Sequence, residues 1–110
     1  MIKIIISKAL LCISHIGCYP VLIGHNTPIG EYNITHVVVE NSGKREDVLM
    51  IKESSPGRII AIHTVPNEKR ERLLEQQSTD KVTMGCVNVS KELFDYIVNN
   101  YNGDTIKITN

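Results

Sequence analysis

The sequence predicts a mainly β chain with two short helices, folded as a small mixed-sheet β-sandwich. Short runs rich in Ile and Val recur between clusters of turn residues. Apolar residues at helical spacing are confined to two stretches, Pro66 to Gln77 and Ser90 to Asn102. Between them in character stands Ile59-Ile60-Ala61-Ile62, apolar on successive residues as a strand covered on both faces must be. The 110 residues predict one domain, 1–110, with a single modest core.

Ile2 to Ser14 is rich in Ile and Leu and predicts a strand. Met1 to Ile13 carries Lys3 and an apolar run, as an export signal would, but Lys8 interrupts it and no small-x-small cleavage pattern follows. Ile16-Gly17-Cys18 is a partial lipobox with His15 where Leu is expected. The stretch is therefore read as strand, leaving a mature fragment or a protein that exits the cytoplasm by another route. His15-Ile16-Gly17 is a turn, and Cys18 to Gly24 returns as a second strand, with Pro20 marking an edge or bulge. His25 to Gly30 is a loop, and Tyr32 to Glu40 is a strand with Thr35 and Val37-Val38-Val39. Asn41 to Lys44 turns the chain into two strands, Val48 to Lys52 and Arg58 to Thr64, around the Ser54-Ser55-Pro56-Gly57 break.

Pro66 suits the first turn of the first helix, whose start falls near Thr64 or Val65. Only Leu73 and Leu74 are apolar there, so that helix lies on the surface. Ser90 caps the second, where Leu93, Phe94, Ile97, Val98 and Tyr101 form one apolar stripe facing the core. Gly103 ends it, and Thr105 to Thr109 is a last strand.

Twelve basic and twelve acidic side chains leave no net charge, which argues against a nucleic-acid surface. Tryptophan is absent and no segment is apolar over a bilayer's thickness, so no membrane span is expected. Three cysteines without Cys-x-x-Cys, and His15, His25 and His36 without ligand spacing, imply no metal and no cofactor. Cys12 and Cys18 face each other across the first hairpin, where an oxidising compartment would permit a bond. Two small buried side chains are the expected state.

The chemistry-bearing stretch is Val82-Thr83-Met84-Gly85-Cys86-Val87-Asn88-Val89. A thiol directly after a glycine, with a helix signal at Ser90, predicts a strand-to-helix junction where free backbone N–H groups face a ligand. Upstream, the apolar strand ends in His63, a base able to take a thiol proton. Either residue alone reads as an ordinary core side chain.

Together with Thr27-Pro28-Ile29-Gly30-Glu31-Tyr32 and the closing Gly103-Asp104-Thr105-Ile106-Lys107-Ile108, this order resembles the L,D-transpeptidase (YkuD-type) catalytic domain from about residue 3 to residue 108. Met84 stands where most of that family has His, and the stretch between His63 and Thr83 is longer than usual. The resemblance implies the fold of that catalytic domain and an enzyme acting on peptidoglycan stem peptides with Cys86 as nucleophile and His63 as base. It also implies an imidazole oriented by the Thr64 main chain. Backbone N–H groups of Met84, Gly85 and Cys86 would hold the oxyanion. Tyr32, Asn88 and Arg70 are candidate substrate contacts. Asn88 would alternatively order the corner or cap the helix, and Arg70 with Arg72 would alternatively belong to a solvated charged face beside Glu68, Glu71 and Glu75.

A thioester passed to an amine gives a 3→3 cross-link (L,D-transpeptidase), and one passed to water gives a shortened stem (L,D-carboxypeptidase). Inhibition by carbapenem-type β-lactams follows from the same resemblance. It implies a periplasmic or cell-wall location. Two alternatives remain at this point. One is an interbacterial effector using the same chemistry, with an immunity protein as partner. The other is a degenerate domain that binds stem peptides without turnover. Oligomeric state is not legible.

Overall fold

A computed structural model describes residues 1–110, apart from the side chain of Asn41. The strands are β1 (Ile2–Ile5), β2 (Leu10–Ile13), β3 (Gly17–Pro20), β4 (Ile23–Gly24), β5 (Gly30–Asn33), β6 (Thr35–Asn41), β7 (Lys44–Ser55), β8 (Arg58–Thr64), β9 (Lys81–Thr83), β10 (Val87–Val89) and β11 (Thr105–Thr109). The helices are α1 (Glu68–Glu75) and α2 (Lys91–Tyr101).

One sheet runs β3-β2-β1-β11-β5, a second β10-β8-β7-β6, and β4 pairs with β9 in a small third. In the first, β1 lies antiparallel to β2 and parallel to β11. Side chains alternate across a strand, so the register aligns Ile2 with Ile13 and Ile106, and Ile4 with Leu11 and Ile108, in buried rows on one face. The second sheet contributes Leu49, Ile51, Ile60, Ile62, Val87 and Val89 to the same core. The α2 stripe adds Leu93, Phe94 and Ile97 to it. Ser90 caps α2 by accepting the Leu93 N–H at 3.2 Å.

Several predicted strands prove to be two. Ile2 to Ser14 reverses through a 3-10 turn at Ile6–Lys8, with Ala9 left-handed at φ 50°. The pattern of apolar residues continues through the turn because Ile6 and Ala9 are buried as well. Cys18 to Gly24 breaks at Val21-Leu22, and Tyr32 to Glu40 at Ile34, a fully buried pivot from which β5 and β6 enter different sheets. Pro20 lies on the edge strand of its sheet, where its missing N–H strands no partner. The first helix begins later than Pro66: Asn67 is its cap, accepting the Arg70 N–H at 2.9 Å.

Cys12 and Cys18 are joined by a disulfide, not packed as free side chains. They are register partners on β2 and β3, with Cα atoms 3.9 Å apart, the close pairing that the two-strand hairpin around left-handed His15 imposes. Among the described residues, no helix is long and apolar enough to cross a membrane.

Candidate active site

The site is built on the parallel pair β8 and β10. Ile62 aligns with Val87, His63 with Asn88, and Thr64 with Val89. Ile60, Ile62, Val87 and Val89 fill the core, so strand alternation turns His63 and Asn88 together onto the opposite face. Cys86 precedes β10 in phase with Asn88. It therefore opens at a strand entry, not at the predicted junction with a helix, since the whole of β10 separates it from α2. Cys86 and His63 are both half-buried.

The His63 Nδ1 lies 2.9 Å from the Thr64 carbonyl oxygen, the main-chain acceptor named from the sequence. The polar approach of the Cys86 thiol is the main influence raising the His63 pKa. Burial opposes it, and the Thr64 carbonyl and the charges of Cys86 and Glu46 add to the rise. Burial alone would push the Cys86 thiol up. The polar approach of His63, the Ala61 backbone, and the positive charges of His63 and Arg70 outweigh it, so the thiol pKa falls. In the resting geometry the thiol itself points to the Ile59 carbonyl oxygen, 3.9 Å away, and His63 Nε2 meets the Asn88 amide at 3.3 Å. The sulfur and the imidazole are thus close enough to shift each other's pKa without a direct hydrogen bond between them.

Two threonine hydroxyls lock the turn that carries the thiol. Thr83 Oγ1 donates to the Cys86 carbonyl at 2.6 Å and accepts the Gly85 N–H at 3.0 Å. Thr27 Oγ1 donates to the Gly85 carbonyl at 2.8 Å and accepts the Gly24 N–H at 3.0 Å. Two glycines make this possible. A Cβ at Gly24 would overlap the Thr83 carbonyl, and Gly85 holds φ +142° against the Asn26 backbone. The Gly85 N–H is thus committed to Thr83 and drops out of the predicted trio of oxyanion donors. Among the described residues, the N–H groups of Met84 and Cys86 make no hydrogen bond to protein.

The three expected substrate contacts take different places around this corner, Arg70 among them lining a groove with His63 and Thr64. Asn88 is fully buried, its amide bonding His63 and Arg70 and ordering the corner, while Ser90 does the capping. Arg70 donates to Asn88 Oδ1 at 3.0 Å, which separates it from the solvated face that holds the Arg72–Glu68 pair. Tyr32 sits on β5 with its hydroxyl on the Ile29 carbonyl, 2.9 Å away, under Lys52. Thr27 and Thr83 were legible only as turn and strand residues; their paired hydroxyl bonds depend on the fold.

Two open grooves flank the pair. One, of about 770 Å³, runs past Asn26, Pro28, Glu40, Lys52, Ser54, Arg58, Ile59 and Met84 to Cys86. The other, of about 540 Å³, is lined by Glu46, Asp47, His63, Thr64, Arg70, Lys91 and Asp95. The exposed Met84 stands over the first. Among the described residues, no three His, Cys, Asp or Glu side chains converge as metal ligands.

The family model of the L,D-transpeptidase catalytic domain (YkuD) matches residues 14–108. The chain belongs to that family. Solved structures of similar fold include an L,D-transpeptidase from Mycobacterium smegmatis, 17% identical with TM-score 0.64, over 97% of this chain and 57% of that one. Another from Stackebrandtia nassauensis is 13% identical with TM-score 0.67, over 97% and 53%. L,D-transpeptidase 1 from Mycobacterium tuberculosis is 16% identical with TM-score 0.61, over 99% and 60%. This L,D-transpeptidase-family domain thus spans little more than half the length of those chains. A search of curated proteins finds no match.

Proposed function

We propose that the domain is a cysteine acyltransferase acting on peptidoglycan stem peptides. The observation that carries this reading is the β8–β10 register, which sets the half-buried Cys86 two residues before the partner of His63, with the imidazole held by the Thr64 carbonyl and a groove open at each of the two. The lowered thiol pKa and raised imidazole pKa agree with it. The Cys86 thiolate attacks the carbonyl that joins the L-centre of the diamino acid to the terminal D-residue. The free N–H groups of Met84 and Cys86 face the developing oxyanion. The imidazolium of His63 gives its proton to the departing amine as the C–N bond breaks, leaving a thioester on Cys86. His63 then takes a proton from an incoming amine or water, and the thiolate leaves.

The amine route yields a 3→3 cross-link, and the water route a shortened stem. The Cys12–Cys18 disulfide supports an oxidising location such as the periplasm or the cell wall. The test is incubation of the protein and Cys86→Ala with tetrapeptide-stem muropeptides, with products identified by mass spectrometry. D-Alanine release by the unsubstituted protein alone is expected, with 3→3 dimers or tripeptide stems naming the route. Folded protein that binds the muropeptide yet forms neither product nor acyl-enzyme would overturn the proposal in favour of a non-catalytic binding domain.

A further inference from the structure

We propose that Arg70 is a positioning residue that, acting through Asn88, selects the tautomer of His63 in which Nε2 offers its lone pair to the thiol. The chain of contacts runs from Arg70 Nη1 to Asn88 Oδ1 at 3.0 Å and from Asn88 Nδ2 to His63 Nε2 at 3.3 Å. It ends with His63 Nδ1 and the Thr64 carbonyl at 2.9 Å. An amide side chain has two ends of similar shape and can turn either to the ring. A guanidinium carries donors only, so beside Arg70 the Asn88 oxygen must face the guanidinium and its NH2 must face the imidazole. A ring nitrogen facing a donor has to be the acceptor, which places the ring proton on Nδ1, where the Thr64 carbonyl receives it.

Nothing else competes for the amide. Asn88 is fully buried, and its main-chain N–H and C=O are both bonded to Leu22 at 2.9 Å. The backbone from which Arg70 extends is anchored in turn, because its main-chain N–H is the one that the Asn67 cap accepts. With no fully buried residue of its own, α1 reaches the site through this side chain. The Asn88 contact is the longer and weaker of the two at the ring, so the Nε2 lone pair can be given up to the Cys86 proton, whose own contact in the resting geometry is the Ile59 carbonyl at 3.9 Å. Charged groups facing His63 are Cys86, Arg70 and Glu46, with Asp47, Lys91 and Asp95 around the same groove.

The relay matters to turnover only if His63 is the base proposed above, but the tautomer is measured without turnover. The experiment is long-range 1H–15N NMR of the His63 ring in the free protein, compared with Arg70→Met, Arg70→Gln and Arg70→Lys. Amide spectra serve as the folding control. At a pH above the His63 titration, where the ring is neutral, the expected result is an unprotonated Nε2 in the parent and in Arg70→Lys, whose ammonium is likewise a donor only. In Arg70→Met the freed amide turns and the Nε2–H form grows in against the hold of the Thr64 carbonyl on Nδ1–H, whereas Arg70→Gln, whose NH2 can still donate to Asn88 Oδ1, stays closer to the parent. Iodoacetamide capture of Cys86 at neutral pH should slow by about tenfold in Arg70→Met, the low end of what losing a histidine's orienting partner costs at metal-bound histidines. An Nε2–H tautomer in the parent, or folded Arg70→Met with the parent's tautomer, overturns the relay. Muropeptide turnover absent despite the expected tautomers would instead sink the acyltransferase reading and leave the relay standing.

Discussion

Thr27→Val removes one oxygen and almost nothing else, since valine has the same branched shape. That oxygen bridges the Gly85 carbonyl and the Gly24 N–H, both in buried surroundings. Each group stranded without water or protein costs about 1–3 kcal/mol. Local relaxation recovers part of the sum, leaving a loss of about 2–4 kcal/mol. Unfolding entropy near 2.1 cal/mol/K per residue gives a chain of 110 residues about 0.23 kcal/mol/K, or about 4 °C per kcal/mol. The melting temperature of Thr27→Val should therefore fall by about 9–17 °C. Thr27→Ser keeps the oxygen and gives up one methyl, about 0.8 kcal/mol, so its melt should drop by about 3 °C. Circular-dichroism melts of the three proteins decide the matter. Equal melts for the Val and Ser variants would mean that the hydroxyl bridge does not hold the cysteine turn to the loop before it.

In His63→Ala, Cys86 loses the polar neighbour and positive charge that offset its burial, so the pH midpoint of its alkylation should move upward from a parent value below that of an ordinary thiol. The sign has a counterpart in stability. What a lowered thiol pKa contributes is present above the unfolded thiol value and is lost as pH falls through the folded one. A variant midpoint equal to the parent's would show that the imidazole does not act on the sulfur. Cys12→Ser with Cys18→Ser opens a loop of sequence separation 6, and should cost about 2 kcal/mol, read as a lower melt that reductant no longer changes. A parent melt indifferent to reductant would contradict this. Gly24→Ala places a methyl on the Thr83 carbonyl and should reduce the yield of folded protein sharply, whereas Gly43→Ala, open around its Cβ position, should express well despite its turn strain. Similar yields for the two would refute the close approach of β4 and β9.

The elements whose apolar pattern matches one environment were legible in the sequence. The buried run of β8, the α2 stripe and the Ser90 cap all lie where their composition places them. Strands that change sheet midway were not, because Ile34 is apolar like its neighbours and nothing local marks it as a pivot. The thiol and the imidazole were recognisable as a pair by type, but their meeting depends on the β8–β10 register, a long-range fact. Arg70 illustrates the limit. In sequence it belongs to a run of alternating charges, and its guanidinium meets Asn88, eighteen residues on, only through the fold. The disulfide was misjudged for a related reason, since a left-handed His15 fixes the hairpin that makes the two cysteines partners.

The parallel ladder between β8 and β10 has only three rungs, and every one sits beside the reacting groups. Its connecting excursion, from Val65 to Met84, is by contrast mostly solvent-facing. Evolution or an engineer can lengthen that excursion beyond Arg70 with little penalty, because loop closure grows only slowly dearer with length. A single-residue deletion between Gly85 and Val89 has no such latitude: it turns the polar side chains inward and presents valines to the imidazole. Substrate range is thus open to revision by grafting, while the five residues after Met84 are held both in count and in kind, Gly85 by its backbone and Val87, Asn88 and Val89 by full burial.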